Sequence, residues 1–493
     1  MKPFRIFIFF AAVLVLLLLV SLLFPNEGIG IGGDLRLNFI SLSDLNHREN
    51  LTTPDEIERL LAASTVTDDP ESDPGIEHFQ GSDLIPETEE EDQRFGPQVT
   101  PANADKLKLE VHRIQFAGAS AALLYPFFRN LDQMTSGQKR PTRILHFGDS
   151  QIENDRMTAL IRYRMQRLFG GTGTGLVQAI PLYSGSLSYR QEEEGEWLRY
   201  TYFGNRDSTI AHKSYGIMGA FASVPIPDGE EWPSLYYRFN TSRRGGQVRR
   251  IRVFMHSYVD DASLAFTVNR EYSDTLQGIP GGFSVADFTH YEEISEAGIH
   301  FKLPEGGRIY GISFESAGGL QVDNIAMRGG SGLIFTAMNR STQQAMLDEL
   351  APGLILLQYG GNVVPYMSSS YYRRAFKRQL RFFREMCPGT PVIVIGPSDM
   401  AIRENAHFVT YPGLEGIRNA LRDAALESGC GFWDLYEAMG GQNSMASFVH
   451  ADPPLASTDY VHFTNLGVNL VAEMFYNALM LEYKEYATQL VSR

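Results

Sequence analysis

Two cysteines in 493 residues are too few for a disulfide framework or for a zinc site built on cysteine. Cys387 and Cys430 each precede a short apolar run, so neighbouring parallel strands would bring them together, either as a disulfide or as two buried thiols. No His, Cys or carboxylate pair stands at the spacing of a catalytic metal, and no Gly-Lys-Ser/Thr follows the glycine-rich 170–175. Neither a metal nor a nucleotide cofactor is expected. A lysine- and arginine-rich stripe is missing too, which removes the electrostatic footprint of DNA or RNA binding. The formal charge of -15 is local: residues 66–95 hold eleven Asp and Glu against one basic residue, Arg94, a difference of ten. The rest is close to neutral.

What is present is enough apolar matter, 43% of residues, for a large core and a second module. Lys2 and Arg5 precede an apolar run, 6–24, whose one polar residue is Ser21. About twenty such residues span a bilayer, and the run lacks a small-x-small cleavage site. Residues 1–28 therefore read as an uncleaved signal anchor, with the basic end cytoplasmic and the remainder extracytoplasmic, hence periplasmic.

Residues 29–63 form a small, partly structured segment, with a strand at 35–42 and a capping box from Thr53 to Glu56. Residues 64–105, rich in Pro, Asp and Glu, read as a solvated linker. From 106 to 180 the pattern is α/β: helical spacing through Phe116, Leu124 and Leu131, a strand at 143–147, and a helix at 156–169. Residues 181–321 carry short alternating strands such as 250–255, 263–268, 299–303 and 309–314, the pattern of a β-sandwich. Strand and helix alternate again over 322–493, with strands at 354–358, 392–395 and 432–435 and helices at 371–386, 414–428 and 467–483.

Acyl transfer by serine needs an exposed nucleophile, a base, a group that orients the base, and donors for the oxyanion. Ser150 ends a strand through Gly148-Asp149-Ser150, at the carboxyl edge where α/β proteins bind ligands. Asp459-Tyr460-Val461-His462 puts a carboxylate and an imidazole on one turn, so Asp459 can hold Nδ1 and leave Nε2 free. Gly360-Gly361-Asn362 follows an apolar run and offers a neutral amide donor, and Gly329 offers an unhindered backbone N–H. Singly, each motif is explained by an ordinary turn; together they stand in order after successive strands. His146, within a strand, reads as a core histidine, and Trp197, Tyr200, Tyr202, Trp232, Tyr236 and Tyr237 read as sandwich core before sugar-stacking residues.

The ordered set Ser150, Gly329, Asn362, Asp459 and His462 resembles the SGNH/GDSL hydrolase family over about 143–483, the β module excepted. The resemblance implies a three-layer α/β/α parallel sheet. It also implies Ser150 as nucleophile, His462 as base, Asp459 as its orienter, and the Ser150 N–H, Gly329 and Asn362 as the oxyanion hole. Val363 departs from the acidic residue that many members carry after the Asn. The stretches 148–158, 170–175 and 395–400 are similar to the peptidoglycan O-acetylesterase and O-acetyltransferase branch, in which an inserted β module resembles a carbohydrate-binding one. An acetylated polysaccharide, peptidoglycan first, is the partner this implies. An esterase, a transferase using the same triad, and a non-catalytic glycan-binding protein are the three functions to separate.

Overall fold

The computed structural model describes residues 29–32, 35–37, 111–118, 121–135 and 141–491, except 182–185, 187, 205, 208, 226–231, 241–246, 317 and 405–406. The expected anchor, the capping box at Thr53 and the acidic linker lie outside the described residues. Of the strand expected at 35–42, Leu35–Leu37 is seen, antiparallel to Ile29–Gly32.

Five parallel strands form the central sheet: β1 (Thr142–Gly148), β2 (Leu320–Ala326), β3 (Leu354–Gln358), β4 (Val392–Ile395) and β5 (Gly431–Trp433), in the spatial order β2-β1-β3-β4-β5. Their nearly unbroken apolar sequences follow from burial on both faces. Because successive side chains point to opposite faces, Ile144, Leu354, Leu356 and Ile393 enter one core, and Leu145, Ile355, Leu357 and Val392 enter the other. The first core is closed by helices α1 (Tyr125–Thr135), α2 (Arg156–Phe169) and α6 (Asn465–Val491). The second is closed by α3 (Arg340–Leu350), α4 (Ser369–Met386) and α5 (Leu414–Glu427). This is the three-layer α/β/α arrangement that the resemblance implied.

Between α2 and β2 the chain builds two antiparallel sheets around a third apolar core. One sheet runs Glu271–Ile279, Ala262–Val268, Glu296–Lys302, Ser234–Phe239, Tyr189–Glu194; the other runs Gly282–Ile294, Val248–Ser257, Gly307–Glu315, Ala220–Val224, Leu198–Thr201. Gly175–Val177 also pairs with Gly307–Glu315, before the position at which the module was expected to begin. Trp197 stacks edge-on to Phe301 and Tyr237 packs on Phe314, so these two aromatics serve the module core and its rim.

Two local expectations change. Phe116 is not helical: Gln115 bridges to Phe432 alongside β5, and helix begins only at Ala121. β2 runs across the expected module boundary at 321/322, pairing with β1 from Leu320↔Thr142 to Ala326↔Gly148. The loop 170–175 follows the end of α2 and packs on the sheet. Its first glycines meet the far end of β2, where a Cβ on Gly171 would stand 2.4 Å from the Leu320 carbonyl oxygen. Close backbone approach is what glycine supplies there.

The module is keyed to the sheet by a buried charge cluster. Arg143 on β1 donates to both oxygens of Asp323 at 2.7 Å and to Glu315 of the module. The Leu176 amide donates to Asp323 at 2.7 Å. Burial pulls the Arg143 pKa down, and the two carboxylates outweigh it and hold the guanidinium protonated. Cys387 and Cys430 are free, buried thiols, each pushed up to about 12 by burial.

Candidate active site

The strand order reverses direction between β1 and β3, and the crevice at their carboxyl ends is where doubly wound sheets hold ligands. Ser150 leaves β1 at that crevice and Asn362 leaves β3 beside it. Gly148 makes the exit possible: a Cβ there would stand 2.8 Å from Ile152 Cδ1 and 3.2 Å from the Gln358 carbonyl oxygen. Asp149 then caps the short helical turn Ser150–Asp155 by accepting from the Gln151 amide at 3.0 Å.

His462 reaches Ser150 from the loop before α6, its Nε2 lying 2.9 Å from Ser150 Oγ. Its Nδ1 lies 2.6 Å from Asp459 Oδ2, while Asp459 Oδ1 accepts the amides of Val461 and His462 at 2.9 and 3.0 Å. With Nδ1–H committed to the carboxylate, Nε2 is left to accept the hydroxyl proton of Ser150. Burial raises the Asp459 pKa, but the imidazole and amide hydrogen bonds outweigh it and hold the carboxyl at about 2.

The turn carrying this pair is fixed from three sides. Tyr460 adopts a left-handed φ of 58°, its ring stacks on Phe408 at 3.5 Å, and its carbonyl accepts the Ala401 amide at 3.0 Å. Gln151 Nε2 donates to the Val461 carbonyl at 2.7 Å, tying the turn of Ser150 to the loop of His462. Arg156 donates to the Phe463 carbonyl. The hydrogen-bond partner of His450 Nε2 is the Tyr460 hydroxyl, at 3.2 Å.

On the other side of Ser150, Asn362 Nδ2 donates to Asp149 Oδ2 at 2.9 Å and to the Gly330 carbonyl at 3.3 Å. Both of its N–H groups are thus engaged, the second at long range. Gly330 spends its own amide on Met327, whereas the Gly329 amide has no acceptor among the described residues and its Cβ side is open space. Burial pushes the Asp149 carboxyl up to about 6 against the pull of the hydrogen bonds from Gln151 and Asn362 and the charge of His462. Asp149, Gln151 and Phe408 are residues that sequence reasoning passed over; Asp149 stood inside the quoted motif and looked like a turn residue.

His146 is a satisfied core residue, bonded to Gln358 at 3.1 Å and Thr158 at 3.0 Å and pushed down to about 4 by burial. Among the described residues no cluster of three His, Cys, Asp or Glu is placed to hold a metal ion.

With the geometry in hand, the chain can be set beside known proteins. No protein-family model and no curated protein matches it. A solved peptidoglycan O-acetylesterase superposes with a TM-score of 0.61 at 21% identity, over 75% of this chain and 97% of that one. The likeness shows a shared fold. A salicylyl-acyltransferase from a tetracycline biosynthetic pathway (TM-score 0.28, 11% identity, 62% of this chain and 96% of that one) and an acetyl xylan esterase (0.25, 15%, 32% and 80%) match too weakly to argue from.

Proposed function

We propose that this chain is an SGNH-type serine esterase that removes O-acetyl groups from a cell-wall glycan, peptidoglycan first, through an acyl-Ser150 intermediate. The observation that carries this reading is the continuous relay from Ser150 Oγ to His462 Nε2 at 2.9 Å and from His462 Nδ1 to Asp459 at 2.6 Å, opening on the switch-point crevice. Ser150 Oγ attacks the acetyl carbonyl carbon as its proton passes to Nε2. The carbonyl oxygen takes the negative charge. The Ser150 and Gly329 amides stabilise it with Asn362, whose 3.3 Å bond to Gly330 is the weaker and the one an oxyanion would replace. Collapse breaks the bond to the sugar oxygen, which leaves with the proton from Nε2. Water, deprotonated by His462, then attacks the acyl-enzyme and releases acetate.

The substrate class rests on the fold shared with a solved peptidoglycan O-acetylesterase and on the inserted β module, which we read as carbohydrate-binding. The apolar run 6–24 supports a membrane-anchored, extracytoplasmic location. Cell fractionation tests it: the protein should stay with the membrane, and a soluble form starting near Pro25 would show cleavage instead. The function is tested by adding purified protein to O-acetylated peptidoglycan fragments with and without de-acetylated glycan. Acetate should appear in both and should not be diverted. Acetylation of the added glycan faster than acetate release would establish a transferase, and binding without release of acetyl groups a non-catalytic glycan-binding protein.

A further inference from the structure

Beside the turn that begins with Ser150, where the module meets the sheet, a cleft of about 80 Å³ opens to solvent. Its polar lining comes from both parts. Glu153 belongs to the turn that begins with Ser150, Arg328 precedes Gly329, Thr174 and Gln178 follow α2, and Arg199 lies on the module strand Leu198–Thr201. The cleft lies beside the relay, because Glu153, Asn154 and Asp155 of its lining belong to the turn Ser150–Asp155.

The charges of this cleft do not cancel. Asp155 and Arg162 close on each other with two bonds of 2.6 and 2.8 Å. Glu153 accepts from Arg328 at 2.9 Å. Arg199 is left over: among the described residues it forms no ion pair, and its one polar contact is Nη2 to Gln178 Oε1 at 3.4 Å. Its buried Nε has no hydrogen-bond partner, and neither has the buried hydroxyl of Thr174, a residue that is 2% exposed. A guanidinium held half out of water with its Nε unpaired is costly to keep and is matched by a carboxylate. Burial lowers the Arg199 pKa, and the one charge that opposes this is Glu153.

We infer that this cleft binds a carboxylate carried by the acetylated glycan, with Arg199 as the residue that selects for it and thereby seats the acetyl group at Ser150. The inference rests on the esterase reading of the same site. A carboxylate could come from the sugar's own acidic substituent or from a peptide attached to it, and both would meet the same fork.

The test compares four substrates with the full-length protein: an O-acetylated disaccharide with its free acid, the same acid blocked as a methyl ester, the peptide-bearing form, and a small aryl acetate. Wild type should show a KM for the free acid or the peptide-bearing form about ten- to a hundredfold below that of the blocked ester, with similar kcat. Whichever of the two binds better names the source of the carboxylate. Arg199→Gln should abolish the difference and leave aryl acetate turnover unchanged, and Arg199→Lys should restore part of it. Equal KM for the free acid, the peptide-bearing form and the blocked acid in wild type would overturn the inference, as would an equal loss on all four substrates in both variants. Failure of the esterase reading looks different: no substrate is turned over. In that case calorimetry of the de-acetylated free, peptide-bearing and blocked forms on Ser150→Ala still decides, with preference for either carboxylate-bearing form supporting the site and equal binding of all three refuting it.

Discussion

Asp459 and Asp149 flank the same serine in opposite surroundings. Asp459 has a side chain 46% exposed, takes three hydrogen bonds, and is held at about 2; Asp149 is 4% exposed and pushed up to about 6. Neighbouring carboxyl groups whose environments drive their pKa values apart have been given different work. Asp459 stays ionised throughout the neutral range, and in the proposed mechanism it orients the base. Asp149 gathers the oxyanion side, fixing the Gln151 amide and the Asn362 side chain with one oxygen each. Loss of the first side should remove the base, and loss of the second should leave the base intact and weaken only the stabilisation of charge.

The largest effect belongs to the base side. Ser150→Ala and His462→Ala should each lower kcat for acetate release by on the order of 10⁶, and Asp459→Asn by about 10⁴, since an imidazole without its orienter keeps some basicity. Turnover by His462→Ala near the wild-type rate would move the base elsewhere and dissolve the comparison.

The oxyanion side should cost less. Asn362→Ala is expected to lower kcat by about 10² to 10³ with little change in KM, the signature of a donor used in the transition state. A rise in KM at constant kcat would make Asn362 a substrate-binding residue.

The smallest effect sharpens the contrast in stability. Because the Asp149 pKa rises from 3.8 to about 6 on folding, the native state holds this proton more tightly than the unfolded chain. The stabilising contribution is complete below about pH 4 and is lost as pH rises through 6, an amount on the order of 2–3 kcal/mol. Urea denaturation of wild type and Asp149→Asn from pH 4 to 8 should give a stability difference that drifts by that amount in favour of the variant. A pH-independent difference would mean that Asp149 keeps an ordinary carboxylate pKa.

Much of this was legible in the sequence because it is local. The runs at 354–358 and 392–395 are buried on both faces and give their strands residue for residue, and Asp459 with His462 is one turn of chain. β2 was hidden by its own polar residues. Asp323 is fully buried against Arg143, and Asn324 donates to the Ile152 carbonyl at 2.8 Å and to Thr158 at 2.7 Å, so a strand interior reads as a loop until those partners are placed. Asp149 looked like a turn residue because its second partner, Asn362, lies 213 positions away. Phe116 kept apolar spacing while lying along a sheet edge, where such spacing also buries side chains. Arg199 carried no motif; its importance comes from a cleft that exists only once the module is docked.

The proposed function turns on His462 making Ser150 a nucleophile. Incubating the full-length protein with a fluorophosphonate that captures activated serines, then mapping the adduct by mass spectrometry, tests it without assuming a substrate. Modification is expected at Ser150 in wild type, slowed by orders of magnitude in His462→Ala and retained in Asn362→Ala to a larger degree. Labelling at another serine, or labelling of Ser150 at the same rate without His462, would contradict it.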